Sequence, residues 1–313
     1  MTRAFVFPGQ GSQAVGMGRE LAEAFSAARQ VFQEVDDALS QKLSALMFEG
    51  PEDQLTLTEN AQPALMAMSM AVVRVLESEG KLDLSRAATF VAGHSLGEYS
   101  ALAAAGTFTL ADTARLLKIR GQAMQKVVPV GVGAMAALLG SELEQAKEIA
   151  ALAAEGDVCE AANDNGGSQV VLSGHKSAVD RAIKIAAEKG IKRAIPLPVS
   201  APFHCALMQP AADAMAEALA KVEMKTPRIP LVANVTASRV TDPDAIRDLL
   251  VRQVTGTVRW RESVLFMKAE GVTTLVELGA GKVLGGLAKR IDKELTGSSV
   301  GAPADIEAFL KSL

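Results

Sequence analysis

The chain has 313 residues, 49% hydrophobic, 22% charged and only 4% aromatic, with a net charge of −4. That apolar content excludes a disordered chain and suffices for about two domains, with cores built from Ala, Val, Leu, Ile and Met. The acidic balance supplies no global basic field for nucleic acid or an anionic membrane.

In chain order, Ala4 to Phe7 is predicted as a buried strand stopped by Pro8-Gly9. Gly16 to Leu39 has helical spacing, with Leu21, Phe25, Ala28, Phe32 and Val35 on one face. A Met-rich helix is expected over Pro63 to Leu76 and a strand over Ala87 to Ala92. A helix from Gly97 to Ala105 ends at Gly106, a natural C′ residue. Thr109 and Asp112 resemble a capping box and open a helix running to about Val127. Strand and helix alternate this far, which predicts an α/β sheet.

Residues 128–200 change rhythm. Strand Ala134–Leu139 and helix Ser141–Ala154 are followed by strands Val158–Ala162 and Gln169–Leu172 around an Asn-Asp-Asn-Gly-Gly turn. Helix Ser177–Glu188 and strand Arg193–Val199 complete a β-α-β-β-α-β order, the ferredoxin-like unit. Alternation then resumes with strand Leu231–Val235, helices Pro243–Val254 and Arg261–Glu270, strand Thr274–Leu278 and helix Val283–Ile291. The expected organisation is an α/β domain of residues 1–127 and 201–313, interrupted by a small domain at 128–200.

Cys159 and Cys205 cannot form a disulfide framework and read as cytosolic thiols. The N-terminal apolar run is too short for a signal peptide. The longest charge-free stretch, Ala194 to Ala212, carries four prolines and a His, so no membrane helix is expected. A cytoplasmic protein is the resulting expectation.

Gly93-His94-Ser95-Leu96-Gly97 matches the nucleophile-elbow pattern G-x-S-x-G. A second copy, Gly297-Ser298-Ser299-Val300-Gly301, has no strand before it and reads as a solvated tail. At Ser95 the pattern stands between a strand and a helix, which exposes the hydroxyl at the positive helix end. A serine hydroxyl needs a base. His94 adjoins Ser95 on a tight turn and should diverge from it, and His175 falls in the small domain. His204, where the inserted segment returns, is the candidate base. The orienting group stays open: Asp157 and Asp164 lie between Ser95 and His204 in the chain but in the inserted segment, and a backbone carbonyl also serves.

Gly9-Gln10-Gly11-Ser12-Gln13-Ala14 fits a dinucleotide fingerprint but lacks the acid that should end a second strand. No Cys or His spacing suggests zinc. No cofactor and no metal are therefore expected. A serine hydrolase or thioesterase would use the same Ser95–His204 pair. A non-enzymatic binding protein is disfavoured because both residues are present.

Phe5-Val6-Phe7-Pro8-Gly9-Gln10-Gly11-Ser12-Gln13, Gly93 to Leu102, Arg120-Gly121-Gln122-Ala123-Met124, Gly167 to Gly174, Pro202-Phe203-His204 and Glu277-Leu278-Gly279 together resemble the bacterial malonyl-CoA:acyl carrier protein transacylase family. The resemblance runs in order over nearly the whole chain. It implies an α/β-hydrolase-like domain with a ferredoxin-like insertion, and ping-pong transfer of malonyl from malonyl-CoA to an acidic, transiently bound acyl carrier protein. It further implies Ser95 as nucleophile, His204 as base and the Gln253 carbonyl as the group orienting it. Gln10 and Leu96 would supply oxyanion-hole N–H groups, and Arg120 would hold the malonyl carboxylate. Phe203 beside His204 would disfavour a methyl-branched substrate. Gly279-Ala280-Gly281 departs from the family's frequent Gly-Pro-Gly. Lys189, Lys192 and Arg193 form a candidate guide for the carrier. A chain starting at Met1 points to fatty acid supply, with a monomer as one possible assembly.

Overall fold

The computed structural model describes residues 2–129, 131–199 and 201–313. Val130 and Ser200, within and at the end of the predicted small domain, lie outside the described residues. The strands in chain order are β1 (Arg3–Phe7), β2 (Phe90–Gly93), β3 (Gly133–Leu139), β4 (Cys159–Gly166), β5 (Gln169–His175), β6 (Arg193–Pro196), β7 (Leu231–Val232), β8 (Arg239–Val240), β9 (Thr274–Leu278) and β10 (Thr296–Val300). They form two sheets, ordered β10-β9-β1-β2-β7-β8 and β4-β5-β3-β6.

The larger sheet is parallel except for β8, which runs antiparallel to β7. Side chains of a strand alternate between faces. In β1, Phe5 and Phe7 enter one core and Ala4 and Val6 the other. The first core joins helices such as Ser26–Leu39, Thr58–Glu79 and Leu110–Val127. The second joins Trp260–Ala269 and Val283–Ile291. Burial on both faces explains why β1 and β2 read as apolar runs.

The smaller sheet is antiparallel throughout and has the order expected of β-α-β-β-α-β. Helices Leu143–Ala154 and Lys176–Glu188 cover one face through Ala136, Leu138 and Leu172. The opposite face sends Met135, Ala137 and Val171 into the main core. That face meets the C-terminal ends of β1 and β2, so a cleft forms there.

Several elements differ from expectation. The predicted helix Gly16–Leu39 is two helices, Arg19–Ala24 and Ser26–Leu39, because Phe25 adopts an extended backbone between them. The Met-rich helix starts earlier, at Thr58, with Pro63 a turn inside it. Helix Gln209–Leu219 went unread. Gly297–Gly301 is no solvated tail: Thr296–Val300 pairs in parallel with β9 from Thr274 to Leu278. As an edge strand it needs only one neighbour and keeps its outer positions exposed, so its polar composition concealed it. The Asn-Asp-Asn-Gly-Gly turn is shorter than predicted, since β4 continues to Gly166. Tertiary bonds override turn preference there: Asp164 pairs with Arg261 at 2.9 Å, and its N–H donates to the Val258 carbonyl.

Candidate active site

β2 ends at Gly93 and the helix Gly97–Ala104 begins four residues later. Between them Ser95 adopts φ 54°, a left-handed conformation. Only glycine fits on either side of the turn. A Cβ on Gly93 would lie 1.9 Å from Gly97, and one on Gly97 would lie 2.2 Å from the Phe7 carbonyl. Real Cβ contacts never approach so closely, so the backbone crossing demands both glycines. The Ser95 N–H donates to Asn234 Oδ1 at 2.8 Å, which fixes the elbow from β7's side.

Ser95 Oγ lies 2.7 Å from His204 Nε2. His204 Nδ1 lies 2.8 Å from the Gln253 carbonyl. A carbonyl oxygen only accepts, so Nδ1 carries the proton and Nε2 offers its lone pair to the serine O–H. Burial, and then the positive charge of Arg120, push the His204 pKa from its ordinary 6.5 down to about 3. The ring is neutral, the form in which it can accept a proton. Asp157 and Asp164, the two acids open in the sequence, are engaged elsewhere: Asp157 with Ser177 and Arg181, Asp164 with Arg261.

Arg120, in the helix Leu110–Val127, is 1% exposed. Its Nη2 donates to Ser95 Oγ at 3.1 Å and to Gln253 Oε1 at 2.8 Å; Nη1 donates to Gln62 Oε1 at 2.8 Å. Thr58 connects Gln62 to Gln10, accepting from Gln62 Nε2 at 3.0 Å and donating to Gln10 Oε1 at 2.8 Å. A cleft of 510 Å³ brings together Gln10, Ser95, Leu96, Arg120, Phe203 and His204, with Met135 and Val171 from the smaller sheet. Every site residue read from the sequence thus lies at one place except Gln253, which sits directly behind His204.

Gln62, Asn163 and Asn165 are among the contributors that the sequence does not disclose. Gln62 contacts the guanidinium from a helix that looked like plain core. Asn163 and Asn165 line the cleft from β4, at positions where the sequence predicts a turn. Asn165 Oδ1 accepts from His94 Nε2 at 2.8 Å, so His94 does turn away from Ser95. Beside the cleft a hollow of 420 Å³ shares Gln10, Gly11, His94, Asn165 and Gln169 with it and carries Lys282 and Arg290. Of the sequence-read basic cluster, Lys189 is paired with Glu148 at 2.6 Å, while Lys192 and Arg193 are exposed.

The family described as Acyl transferase domain matches residues 4–293. The chain is 47% identical over 308 residues to the malonyl CoA-acyl carrier protein transacylase of Escherichia coli (strain K12), covering 98% of each chain. It superposes with a TM-score of 0.97 on the acyl-carrier-protein-S-malonyltransferase from Bartonella henselae, at 59% identity over 100% of this chain and 99% of that one. A type II PKS acyl-carrier protein in complex with its malonyl-transacylase is similar at TM-score 0.96 and 43% identity, with full coverage of both chains.

Proposed function

We propose, because the chain belongs to the acyl transferase domain family alongside the malonyl CoA-acyl carrier protein transacylases, that it transfers malonyl from malonyl-CoA to the phosphopantetheine thiol of an acyl carrier protein. The observation that carries the mechanism is the fixed Arg120 guanidinium 3.1 Å from the Ser95 hydroxyl that His204 holds. A nucleophile beside a buried cation suits an acyl group that carries its own carboxylate.

Ser95 Oγ attacks the thioester carbonyl while its proton passes to His204 Nε2. The N–H groups of Gln10 and Leu96 stabilise the oxyanion, each worth about 3 kcal/mol. The C–S bond breaks and the CoA thiol leaves with the proton from His204. The carrier thiol then attacks the malonyl-Ser95 ester, its proton goes to His204, and the serine is released with that proton. The two half-reactions are ping-pong. Arg120 grips the malonyl carboxylate in bidentate fashion. Phe203 lines the same cleft and narrows the space for a methyl branch.

All these groups come from one chain, which supports a monomer as the working unit. Two buried free cysteines support the cytoplasm as its compartment. Neither nucleic acid nor a membrane enters the reaction. The antiparallel sheet and its helices fall between residues 133 and 196, which supports 128–200 as the inserted domain. Fatty acid synthesis is the proposed pathway.

Intact mass after mixing with malonyl-CoA tests the transferase. The expected result is a malonyl adduct on Ser95 that the carrier discharges. Discharge by water at the same rate would instead make the protein a thioesterase, and a wild-type protein without adduct would refute both.

Recruitment has two arms. Lys282 and Arg290 border the hollow that opens into the cleft, where the phosphates of CoA and of the phosphopantetheine arm both need cations. Lys192 and Arg193 serve only the acidic carrier. Reversing Lys192 and Arg193 to Glu should slow transfer to the carrier about three- to tenfold at low salt while leaving serine acylation unchanged. Reversing Lys282 and Arg290 should slow both steps. Equal effects of the first pair on both steps would remove it from the docking surface.

A further inference from the structure

One buried acid in this region has no part in the mechanism above. Glu98 lies in the first turn of the helix Gly97–Ala104, three residues after Ser95, and is 1% exposed. Its Oε2 accepts from Gln253 Nε2 at 2.8 Å and from the Asn234 N–H at 3.2 Å. Both donors belong to residues that hold the reacting groups. Asn234 accepts from the Ser95 N–H and donates Nδ2 to the Gly93 carbonyl at 2.6 Å. Gln253 does more. Its carbonyl orients His204, its Oε1 accepts from Arg120, and its Nε2 donates to the Ser95 carbonyl at 2.9 Å.

The amide of Gln253 therefore has a fixed sense. Its oxygen faces the Arg120 cation and its nitrogen faces the Glu98 carboxylate. A carboxylate only accepts, so it selects the NH₂ end, and Arg120 only donates, so it selects the oxygen. Without the acid, the Ser95 carbonyl and a longer 3.4 Å contact to Asn234 Oδ1 are what would keep that nitrogen in place among the described residues.

We propose that Glu98 is a positioning residue: by accepting from Gln253 and Asn234 it sets the ring of His204, the main chain of Ser95 and the guanidinium of Arg120 together. The assignment rests on the acyl-serine reading above. Burial pushes the Glu98 carboxyl up to about 7, while the bonds from Gln253 and Asn234 and the charge of Arg120 favour the ionised form. The acid is thus held by the residues it organises.

The test compares Glu98→Met, which keeps length and apolar fit but cannot accept, with Glu98→Gln, whose amide oxygen can. Malonyl and acetyl loading are each measured per active site titrated by the mass of the acyl adduct. Displacing reacting groups by about 1 Å costs on the order of 10²-fold. E98M should therefore lose about 10²-fold in kcat per titrated site. Its malonyl-to-acetyl ratio should also fall at least tenfold, because Arg120 moves with Gln253. E98Q should recover at least tenfold of the lost rate and most of the ratio. A merely structural role would lower the number of titrated sites and leave both the rate per site and the ratio untouched, which would overturn the proposal. An E98Q as impaired as E98M would overturn it too, since acceptance would not be the cause. A wild type with a normal adduct beside an unaltered E98M rejects Glu98 alone, whereas a wild type with no adduct rejects the acyl-serine reading itself.

Discussion

Ser95→Ala, His204→Ala and the double variant should lose malonyl transfer to a similar extent, on the order of 10⁴-fold or more, with the double no worse than the worse single. The expectation comes from the 2.7 Å contact between Ser95 Oγ and His204 Nε2. The two side chains perform one event, the departure of the hydroxyl proton as the C–O bond forms. Once either is gone, the other has nothing to act with. The residual rate comes from the oxyanion donors and from binding, which neither change removes. Transfer is read as malonyl-carrier formed per unit time by mass spectrometry. Losses that multiply in the double variant would show that the residues act independently.

His204 also leaves a signature in stability. Its folded pKa lies at about 3 and its unfolded value near 6.5. Between those values the unfolded chain binds a proton that the native ring refuses. The group's contribution is complete above 6.5 and is lost as the pH falls towards 3. The gap in melting temperature between wild type and His204→Ala should therefore shift against the wild type across that window. A gap that stays constant would mean that the ring titrates normally in the folded protein.

What could be read in the sequence was local. The elbow is a strand, a turn with two glycines and a helix within a dozen residues, so apolar runs and Gly spacing disclose it. Thr109 does cap its helix, accepting from the Asp112 N–H at 3.0 Å. The β-α-β-β-α-β rhythm was equally plain because each small element has a clean period. Residues whose role comes from distant contacts were opaque. Gln253 acts through its carbonyl, which every residue type has, so only the family resemblance pointed to it. Asn163 and Asn165 are turn formers by composition. They lie in a strand because an isolated bridge to Val258 and the bond from His94 hold them there. Gln62 and Glu98 sit on helices whose neighbours are almost wholly apolar. Their signal was a lone polar residue at a buried position, which becomes informative once burial is known.

Arg120→Ala should reduce the preference for malonyl over acetyl by about 10²-fold. A hydrogen bond to a charged group contributes about 1.5–3 kcal/mol, and a bidentate grip makes two. Exchanging bonds to Gln62 and Gln253 for bonds to the carboxylate offsets part of that sum, which leaves about 3 kcal/mol, or 10²-fold. Acetyl has no carboxylate and gains nothing from the guanidinium. Its loading should change far less, limited to the loss of the Nη2 bond to Ser95 Oγ. The ratio is the right measurement because the substitution also disturbs the fold. Arg120 is almost fully buried, and its removal strands Gln62 Oε1 and Gln253 Oε1. Any unfolded fraction lowers both rates equally and cancels. Arg120→Lys should not restore the preference, since an ammonium keeps the charge but lacks the planar fork that meets both carboxylate oxygens. A ratio unchanged in Arg120→Ala would remove this residue from substrate selection and leave it a buried structural cation.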